Sequence, residues 1–451
     1  MKLIKKVVLL WALLFTAPVV AAPSDFLVTT DWLEKNLNNP KLRLIEVSVD
    51  TGVYERGHIQ GAVNFKWHTD LVDPVKRDIA SKENFEKLLR QAGVNNDSTI
   101  VIYGDSNNWF AAWGAWVFDV YGVKNVKLLD GGRKKWEAEK RPLTPLATQV
   151  AAGNVKVSDA NNALRARLID VVAIANKKSD TALVDIRSPD EFTGKIFAPA
   201  GVQETAIRAG HIPGAVNVPW GQAVAEDGTF KSPEELKKVY AAVGIDGKKP
   251  IITYCRIGER SSHTWFALSK ILGYNVKNYD GSWTEYGNSV GNPVINTAGT
   301  IKVSDANNAL RARLIDVVAI ANKKSDTALV DIRSPDEFTG KIFAPAGVQE
   351  TAIRAGHIPG AVNVPWGQAV AEDGTFKSPE ELKKVYAAVG IDGKKPIITY
   401  CRIGERSSHT WFALSKILGY NVKNYDGSWT EYGNSVGNPV INTAGTIWGG
   451  K

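Results

Sequence analysis

The sequence has 451 residues, of which 44% are hydrophobic and 23% are charged, a composition typical of globular proteins. At about 150 residues per domain, this length predicts about three domains, each large enough to bury its own core. The 40 glycines and 20 prolines exclude collagen-like and disordered chains. The net charge of +8 is too small to indicate nucleic-acid binding, although it suits a small anionic substrate.

The amino terminus, residues 1–22, is predicted to be a signal peptide. Three lysines precede a short apolar stretch from Val7 to Phe15, and small residues follow with a cleavage position after Ala21. The apolar stretch is too short to span a bilayer. We therefore expect a periplasmic or secreted protein, and the alternative is a buried element of the first domain.

A duplication organises the rest of the chain. Residues 156–301 recur without a substitution as residues 302–447. Such a repeat either has had no time to diverge or arose in cloning or sequence assembly. The only two cysteines, Cys255 and Cys401, occupy equivalent positions in the two copies. A disulfide between them would need two identical sites to face each other, so we expect two free thiols, although exported proteins usually pair their cysteines.

A diverged relative of the repeat precedes it. GHIQGAVNFKW at residues 57–67 parallels GHIPGAVNVPW at 210–220, and TIVIYGD at 99–105 parallels PIITYCR at 250–256. The shared order and spacing predict three modules of one fold. Their predicted bounds are residues 25–138, a linker at 139–155, and the two copies at 156–301 and 302–447, with no linker at the Ile301–Lys302 junction.

Within a module, short β-branched segments alternate with helical segments. The segment from Ala182 to Ile186 is predicted to be a buried strand. In KSPEELKKVYAAVG, Ser232 and Glu235 form a capping box and Gly244 ends the helix, and Ser188 begins a further helix. This alternation predicts an α/β fold with a small, mainly parallel sheet and helices on both faces in each module.

Two other motifs are predicted to be structural. The histidines of the GHI motif (His58, His211 and His357) are expected to hold turns by hydrogen bonds. Asp185 and Arg187 are expected to form an ion pair. No cluster of side chains has metal-ligand spacing, and no cofactor is predicted.

The segment ITYCRIGERSSHTWFAL carries the strongest chemical signal: a strand, one cysteine, five loop residues and a helix predicted from about Ser261 to Leu272. A thiol at such a junction faces converging backbone N–H groups and the positive end of the helix dipole. Arg256 and Arg260 add two positive charges. Each effect favours thiolate over thiol, so Cys255 is predicted to be a nucleophile. A buried, inert cysteine is the alternative.

The loop is expected to form a cradle around the sulfur. Gly258 allows the backbone to turn inward, and Ser261 and Ser262 are expected to cap the helix and donate to a bound anion. The predicted cradle residues are Ile257, Gly258, Glu259 and Ser261 in the first copy and Ile403, Gly404, Glu405 and Ser407 in the second.

The modules resemble rhodanese domains, and the chain resembles a tandem-domain thiosulfate sulfurtransferase with a duplicated carboxy-terminal module. The matching motifs occur in the family's order: VDIRSPDEF at 184–192, RAGHIPGAVNVPW at 208–220, CRIGER at 255–260 and YDGSW at 279–283. The resemblance implies that a loop cysteine takes the outer sulfur of thiosulfate as a persulfide and passes it to cyanide or another nucleophile. It also implies that the first module is non-catalytic, because Gly104 or Asp105 stands at the cysteine position.

The resemblance assigns roles to residues. Cys255 and Cys401 are the implied sulfur acceptors. The implied substrate-binding residues are Arg208, Arg256 and Arg260 in the first copy and Arg354, Arg402 and Arg406 in the second. The loop differs from the CRKGVT version of the family at Ile257, Glu259 and Arg260, and Arg260 is taken as the substitute for its lysine. Loss of Arg208 or Arg260 is therefore expected to raise the Michaelis constant for thiosulfate.

Three other functions are compatible with parts of the pattern. Mercaptopyruvate-using relatives tend to have a less charged loop of the CGSGVT kind, so the two arginines favour thiosulfate. A cysteine phosphatase or arsenate reductase would have C-x5-R, whereas this loop is C-x4-R. A non-catalytic persulfide carrier would keep the loops but turn over slowly. The expected partners are a small anionic sulfur donor and a nucleophilic acceptor, with no nucleic acid and no membrane after signal removal.

In tandem members of the family, the active pocket lies between the inactive and the active module. The resemblance therefore implies that the first module completes the pocket of Cys255 and leaves Cys401 without such a partner. Cys401 is then expected to be the slower of the two. The alternative is a domain-swapped arrangement in which the second copy packs against the first module.

Overall fold

The computed structural model describes residues 25–73, 75–200, 202, 206–296, 299–301, 308–348 and 352–445. The predicted signal peptide and the residues that follow Ile301 at the copy junction lie outside the described residues. Within the described ranges, no helix combines the length and the apolar character needed to cross a membrane.

The first module is built on a five-stranded parallel sheet of order β1-β7-β6-β2-β3, with a separate β4–β5 hairpin. Its strands are β1 (Leu27–Val28), β2 (Leu42–Glu46), β3 (Ala62–Asn64), β4 (Val72–Asp73), β5 (Asp78–Ile79), β6 (Thr99–Tyr103) and β7 (Val126–Leu129). Its helices are α1 (Thr30–Asn36), α2 (Val53–Arg56), α3 (Lys82–Gln91), α4 (Trp109–Val120) and α5 (Gly132–Ala138).

The second module, which contains the first copy of the repeat, has a parallel sheet of order β10-β9-β11-β12-β8. Its strands are β8 (Arg165–Ala166), β9 (Ala182–Asp185), β10 (Ala215–Asn217), β11 (Ile251–Tyr254) and β12 (Val276–Tyr279). Its helices are α6 (Leu168–Ala175), α7 (Pro189–Thr193), α8 (Pro233–Ala241), α9 (Glu259–Phe266) and α10 (Ser282–Asn288). The antiparallel hairpin of β13 (Val294–Asn296) and β14 (Gly299–Ile301) follows.

The third module repeats this sheet in the order β15-β19-β18-β16-β17. Its strands are β15 (Arg311–Ala312), β16 (Ala328–Asp331), β17 (Ala361–Asn363), β18 (Ile397–Tyr400) and β19 (Val422–Tyr425). Its helices are α11 (Leu314–Ala321), α12 (Pro335–Thr339), α13 (Pro379–Ala387), α14 (Glu405–Phe412) and α15 (Ser428–Asn434). The predicted α/β class with mainly parallel sheets is confirmed.

Each sheet is buried on both faces because successive strand residues point in opposite directions. In β9, Leu183 packs into one hydrophobic cluster with Tyr254 and Trp283. Its neighbour Val184 packs into the cluster on the opposite face, which includes Leu236 of α8. Helices therefore cover both faces of the second module, as the near-continuous apolar strands predicted.

The helix starts follow local capping chemistry. The predicted capping box at Ser232 is present, and the helix predicted to begin at Ser188 has a capping box as well. The helix after Cys255 differs from its prediction, because it begins at Glu259 instead of Ser261 and has Gly258 as its N-cap without a side-chain hydrogen bond. Gly258 has a φ of +105°, and a Cβ there would lie 2.5 Å from the Asp280 backbone, so the loop turns directly into α9.

The segment predicted as a linker packs along the first module. Thr144 forms an antiparallel bridge with His58, and Val155 is buried. The Asn161 N–H donates to the Val120 carbonyl at 2.8 Å, so the chain stays on the first module beyond residue 155. Because it is held against the first module, the segment determines the point in space from which the second module starts.

The two copies pack against each other through α10 and α15. Glu285 Oε1 accepts a hydrogen bond from the Val436 N–H, and Glu431 Oε1 accepts one from the Val290 N–H, both at 2.8 Å. Equivalent residues exchange equivalent bonds, so the interface is isologous, like that of a twofold-symmetric dimer.

Asp185 and Arg187 form the predicted ion pair in the core of the second module. Arg187 Nη2 lies 2.6 Å from Asp185 Oδ2, and both side chains are buried. The same nitrogen donates to the Gly210 carbonyl at 2.7 Å, and the guanidinium carbon lies 4.7 Å from the Trp283 ring centre. The pair therefore joins the end of β9 to the turn that contains His211.

Replacing Arg187 with methionine is expected to lower the free energy of unfolding by about 3–5 kcal/mol, because Asp185 would remain buried without its counter-charge. Urea unfolding followed by tryptophan fluorescence measures the change. Lys248→Met is the control, since Lys248 pairs with Asp246 at the surface and its loss should leave the midpoint unchanged. Equal midpoints for the two variants would contradict the structural role of Arg187.

Candidate active site

Cys255 lies in a loop between β11 and the amino terminus of α9. Its Sγ accepts a hydrogen bond from the Gly258 N–H at 3.1 Å, and its own N–H donates to Ser282 Oγ at 3.1 Å. The helix dipole and the inward N–H group both stabilise negative charge on sulfur. The arrangement can therefore hold a thiolate or a sulfur anion attached to it.

Cys401 has the same local geometry. Its Sγ accepts from the Gly404 N–H at 3.2 Å, and its N–H donates to Ser428 Oγ at 3.0 Å. Both cysteines are free and buried, as expected from their equivalent positions in separate copies.

Two residues that the sequence reasoning missed support the loop. Asn278 Nδ2 donates to the Gly258 carbonyl at 3.1 Å, and Ser282 bridges Cys255 and the Tyr279 carbonyl. Asn278 lies in β12 and Ser282 begins α10, so both are more than twenty positions from the cysteine. The YDGSW motif was a signal that this segment mattered, but it gave no role for the serine hydroxyl.

The expectation that Ser261 and Ser262 cap the helix was wrong. Ser261 Oγ lies 2.6 Å from Asn278 Oδ1 and 2.8 Å from the Gly258 carbonyl, and Ser262 Oγ donates to the Glu259 carbonyl. Because α9 begins two residues earlier than predicted, both hydroxyls bond backward within its first turns. Ser407 likewise lies 2.7 Å from Asn424 Oδ1, so this serine joins the loop to the neighbouring strand in both copies.

The arginines of the loop have different surroundings. Arg256 is half-buried beside the loop, as is its counterpart Arg402. Arg260 Nη2 lies 3.4 Å from Glu191 Oε1, and its guanidinium carbon lies 5.7 Å from the Trp109 ring centre of the first module. Arg406 keeps the equivalent contact with Glu337. Arg260 therefore contributes to the contact between modules.

The substrate-binding roles assigned to Arg208 and Arg354 stay predictions, and the structure gives both side chains backbone partners. Arg208 donates four hydrogen bonds to carbonyl oxygens around the end of α10, which leaves at most one N–H for any other partner. All five N–H groups of Arg354 are engaged by carbonyls, including that of Val75 in the first module. Burial lowers the pKa of Arg354 to about 9. Both arginines therefore bond to carbonyl groups at the carboxy-terminal ends of helices, Arg208 at α10 and Arg354 at α15.

The first module packs against the Cys255 module, as predicted. Helix α4 contacts α9, and Trp109 meets Trp220 edge-on with ring centres 4.8 Å apart. In the first module's own loop, Gly104 follows β6 where Cys255 follows β11, and the next residue, Asp105, accepts the Val49 and Asp50 N–H groups at 2.9 and 2.8 Å. Its carboxylate therefore organises that loop without a nucleophile.

A cavity of about 30 Å³ lies against the Cys255 loop, with room for one or two water molecules. All three modules line it, which the sequence did not predict. The lining residues are Val72, Arg77, Asp78, Ile79 and Trp113 of the first module, Ile257, Glu259 and Asp280 of the second, and Ile353 and Val436 of the third.

Glu259 is the most perturbed acid of this cavity. It is only 6% exposed, and its Oε2 has no hydrogen-bond partner among the described residues. Burial raises the pKa of Glu259 to about 8, against the opposing charges of Arg256 and Arg77. Its counterpart Glu405 is exposed. Identical sequences therefore place this carboxyl in two different environments.

The histidines are structural, as predicted. His211 Nδ1 lies 2.7 Å from the Phe192 carbonyl, and His357 and His58 make equivalent contacts with Phe338 and Tyr54. His263 is buried, and desolvation lowers its pKa to about 3. Among the described residues, no group of three or more His, Cys, Asp or Glu side chains could hold a metal ion.

The rhodanese-like domain family matches the chain three times, at residues 29–139, 170–289 and 316–435. The chain therefore belongs to the rhodanese family, with one family domain in each module of the fold.

The chain is similar to related proteins over a length of about two modules. The "Putative thiosulfate sulfurtransferase" of Mycolicibacterium smegmatis is 55% identical over 275 residues, which are 60% of this chain and 98% of that protein. The "Sulfur carrier protein TtuD" of Thermus thermophilus is 50% identical over 277 residues, 60% of this chain and 97% of that protein. The crystal structure of SseA from Escherichia coli, described among 3-mercaptopyruvate sulfotransferases, is 29% identical, with a TM-score of 0.50 over 58% of this chain and 99% of that one.

The raised pKa of Glu259 predicts a pH dependence of stability. Its folded pKa of about 8 lies above that of an unfolded glutamate, so its contribution is fully present below about pH 4.5 and is lost as the pH rises through 8. Glu259→Gln should remove this loss. The stability of the variant relative to wild type should rise with pH by at most about 1.4 kcal/mol per unit within that window.

Thermal unfolding at pH 5, 7 and 9 measures this difference. Glu405→Gln is the matched control, because the same residue is exposed in the third module and its replacement should leave the pH profile unchanged. Parallel profiles for wild type and Glu259→Gln would show that Glu259 is not held protonated by burial.

Proposed function

We propose that this protein is a thiosulfate sulfurtransferase that carries sulfane sulfur as a persulfide on Cys255 and Cys401. The observation that carries the proposal is the position of Cys255 Sγ, which accepts the Gly258 N–H at the amino terminus of α9. The same contact at Gly404 extends the proposal to Cys401.

The reaction has two displacements. The cysteine thiolate attacks the outer sulfur of thiosulfate, a new S–S bond forms, and sulfite leaves with the electron pair of the old S–S bond. The resulting persulfide anion takes the place of the thiolate beside the loop N–H groups. An acceptor such as cyanide then bonds to the outer sulfur, and the cysteine thiolate is released as thiocyanate forms.

Charge around the loop supports an anionic donor. Arg256 lies half-buried beside Cys255, and Arg77 of the first module lines the adjoining cavity. A guanidinium binds oxyanions well because its N–H groups form a planar fork. The name of the mycobacterial relative agrees with thiosulfate as the donor.

A persulfide carrier is the second candidate. Both thiols are buried, Cys255 at 1% exposure and Cys401 at 0%, which would protect a stored persulfide. The Thermus relative is named as a sulfur carrier. A carrier would accept sulfur from thiosulfate but would turn over slowly with cyanide. An enzyme would accept sulfur from thiosulfate and transfer it rapidly to cyanide. The relation to SseA makes 3-mercaptopyruvate the alternative donor.

The proposal includes export. The three lysines, short apolar stretch and small residues within positions 1–22 support a periplasmic or secreted location. Fractionation of cells that make the full chain tests this point.

The double variant Cys255→Ser, Cys401→Ser should lose thiosulfate:cyanide activity by more than ~10³-fold, because no nucleophile would remain. Mass spectrometry of wild type after thiosulfate should show added sulfur on the cysteine peptide, and the double variant should show none. Circular dichroism checks that the variant is folded. Turnover that survives in the folded double variant would refute the proposal.

Replacing Arg256 and Arg402 together with alanine should raise the Michaelis constant for thiosulfate by ~10-fold or more, since a charge-assisted hydrogen bond contributes about 1.5–3 kcal/mol. Lys248→Ala with Lys394→Ala is the matched control, because it removes the same charge from two exposed, equivalent positions. Steady-state kinetics that are the same in both double variants would exclude a donor-binding role for the loop arginines.

A further inference from the structure

We propose that the two cysteine loops serve acceptors of different size. Cys255 passes sulfur to small nucleophiles such as cyanide or hydrosulfide, and Cys401 passes it to thiols carried on polypeptides. The inference rests on the persulfide chemistry proposed above and adds a division of acceptors between the two copies.

The two loops have the same sequence, so any difference between them comes from their neighbours. Both sulfur atoms lie beneath their loops, and the hydrogen bonds that hold them are alike. The difference lies in the residues around each loop, where an acceptor must approach.

At Cys255 the first and third modules meet beside the loop. Arg77 donates to the Asn434 carbonyl, and the Gly437 N–H donates to the Lys76 carbonyl at 2.8 Å. Arg354 Nη1 donates to the Val75 carbonyl, also at 2.8 Å. These bonds close the cavity of about 30 Å³ described above. The cavity touches the Cys255 loop at Ile257 and Glu259, and its volume has room for cyanide but not for a peptide backbone.

At Cys401 the first module is missing from the corresponding position. Ile353, which lines the cavity at Cys255, is 7% exposed, whereas its counterpart Ile207 on the side of Cys401 is 47% exposed. Glu405 and Ser408 are exposed, while the equivalent Glu259 and Ser262 are buried. The surroundings of the Cys401 loop are therefore open.

An aromatic surface borders the open loop. Trp366 and Phe412 are each 45% exposed. The Trp366 ring lies against His409 and the Phe412 ring against Phe376, and the His409 and Phe376 rings stack on each other. In the second module the equivalent surface holds a helix of the first module, with Trp220 against Trp109 and Phe266 1% exposed. The surface that binds an apolar helix of the first module in the first copy is therefore exposed in the second copy, where another apolar polypeptide can bind.

The likeness of this exposed aromatic surface to the one that binds the first module identifies the class of acceptor. A polypeptide with a cysteine next to apolar side chains would seat those side chains on Trp366 and Phe412 and bring its thiol to the Cys401 loop. Its thiolate bonds to the outer sulfur of the persulfide, the S–S bond to Cys401 breaks, and Cys401 recovers its electron pair as thiolate. The acceptor leaves as a persulfide, and no oxidant is consumed.

The test compares Cys255→Ser with Cys401→Ser in the full chain. Each variant is loaded with thiosulfate and then given cyanide or a synthetic peptide with one cysteine flanked by leucine and phenylalanine. The ratio of peptide rate to cyanide rate should be at least about 10-fold higher in Cys255→Ser, which retains only Cys401, a difference of about 1.4 kcal/mol.

Trp366→Ser in the Cys255→Ser background separates docking from chemistry. It should lower transfer to the peptide and leave transfer to cyanide unchanged, because Trp366 lies outside the cysteine loop. Equal peptide-to-cyanide ratios in the two single variants would overturn the inference while persulfide loading, and with it the proposed function, would stand. Failure of both variants to load sulfur would instead overturn the proposed function.

Discussion

The hydrogen bond from the Gly258 N–H to Cys255 Sγ is the contact on which the rest of the site depends. It exists because Gly258 adopts a φ of +105° and lies close against the Asp280 backbone, a conformation and an approach that a side chain would prevent. Asn278 holds the Gly258 carbonyl, and Ser282 holds the Cys255 N–H. A strand end, a helix start and a neighbouring turn are thus joined around one sulfur atom.

The duplication provides an internal comparison of sequence against environment. Glu259 is buried with a pKa of about 8, and Glu405 is exposed. His263 is buried and its pKa falls to about 3, while His409 is partly open. Since each pair shares its local sequence, the differences arise from the first module, whose helix α4 packs on α9 of the first copy. Tertiary contacts therefore determine the electrostatics here, not the loop motif.

The sequence predicted the features that depend on local chemistry. The capping box at Ser232, the helix start at Ser188, the buried strands and the cysteine at a strand–helix junction are all set by neighbouring residues. The backbone partners of Arg208 were not predicted because they are carbonyls about eighty positions away, which no local pattern shows. The cavity at Cys255 was missed for the same reason, since residues from three modules form it.

The exchanged bonds of Glu285 and Glu431 have a consequence for how molecules associate. A self-complementary patch that occurs twice in one chain can also be satisfied by another molecule, so two chains can trade partners without any new contact. The tether between the copies raises their effective concentration to about the millimolar range, which favours closure within one chain in dilute solution. In a crowded compartment the same surfaces can link one molecule to the next.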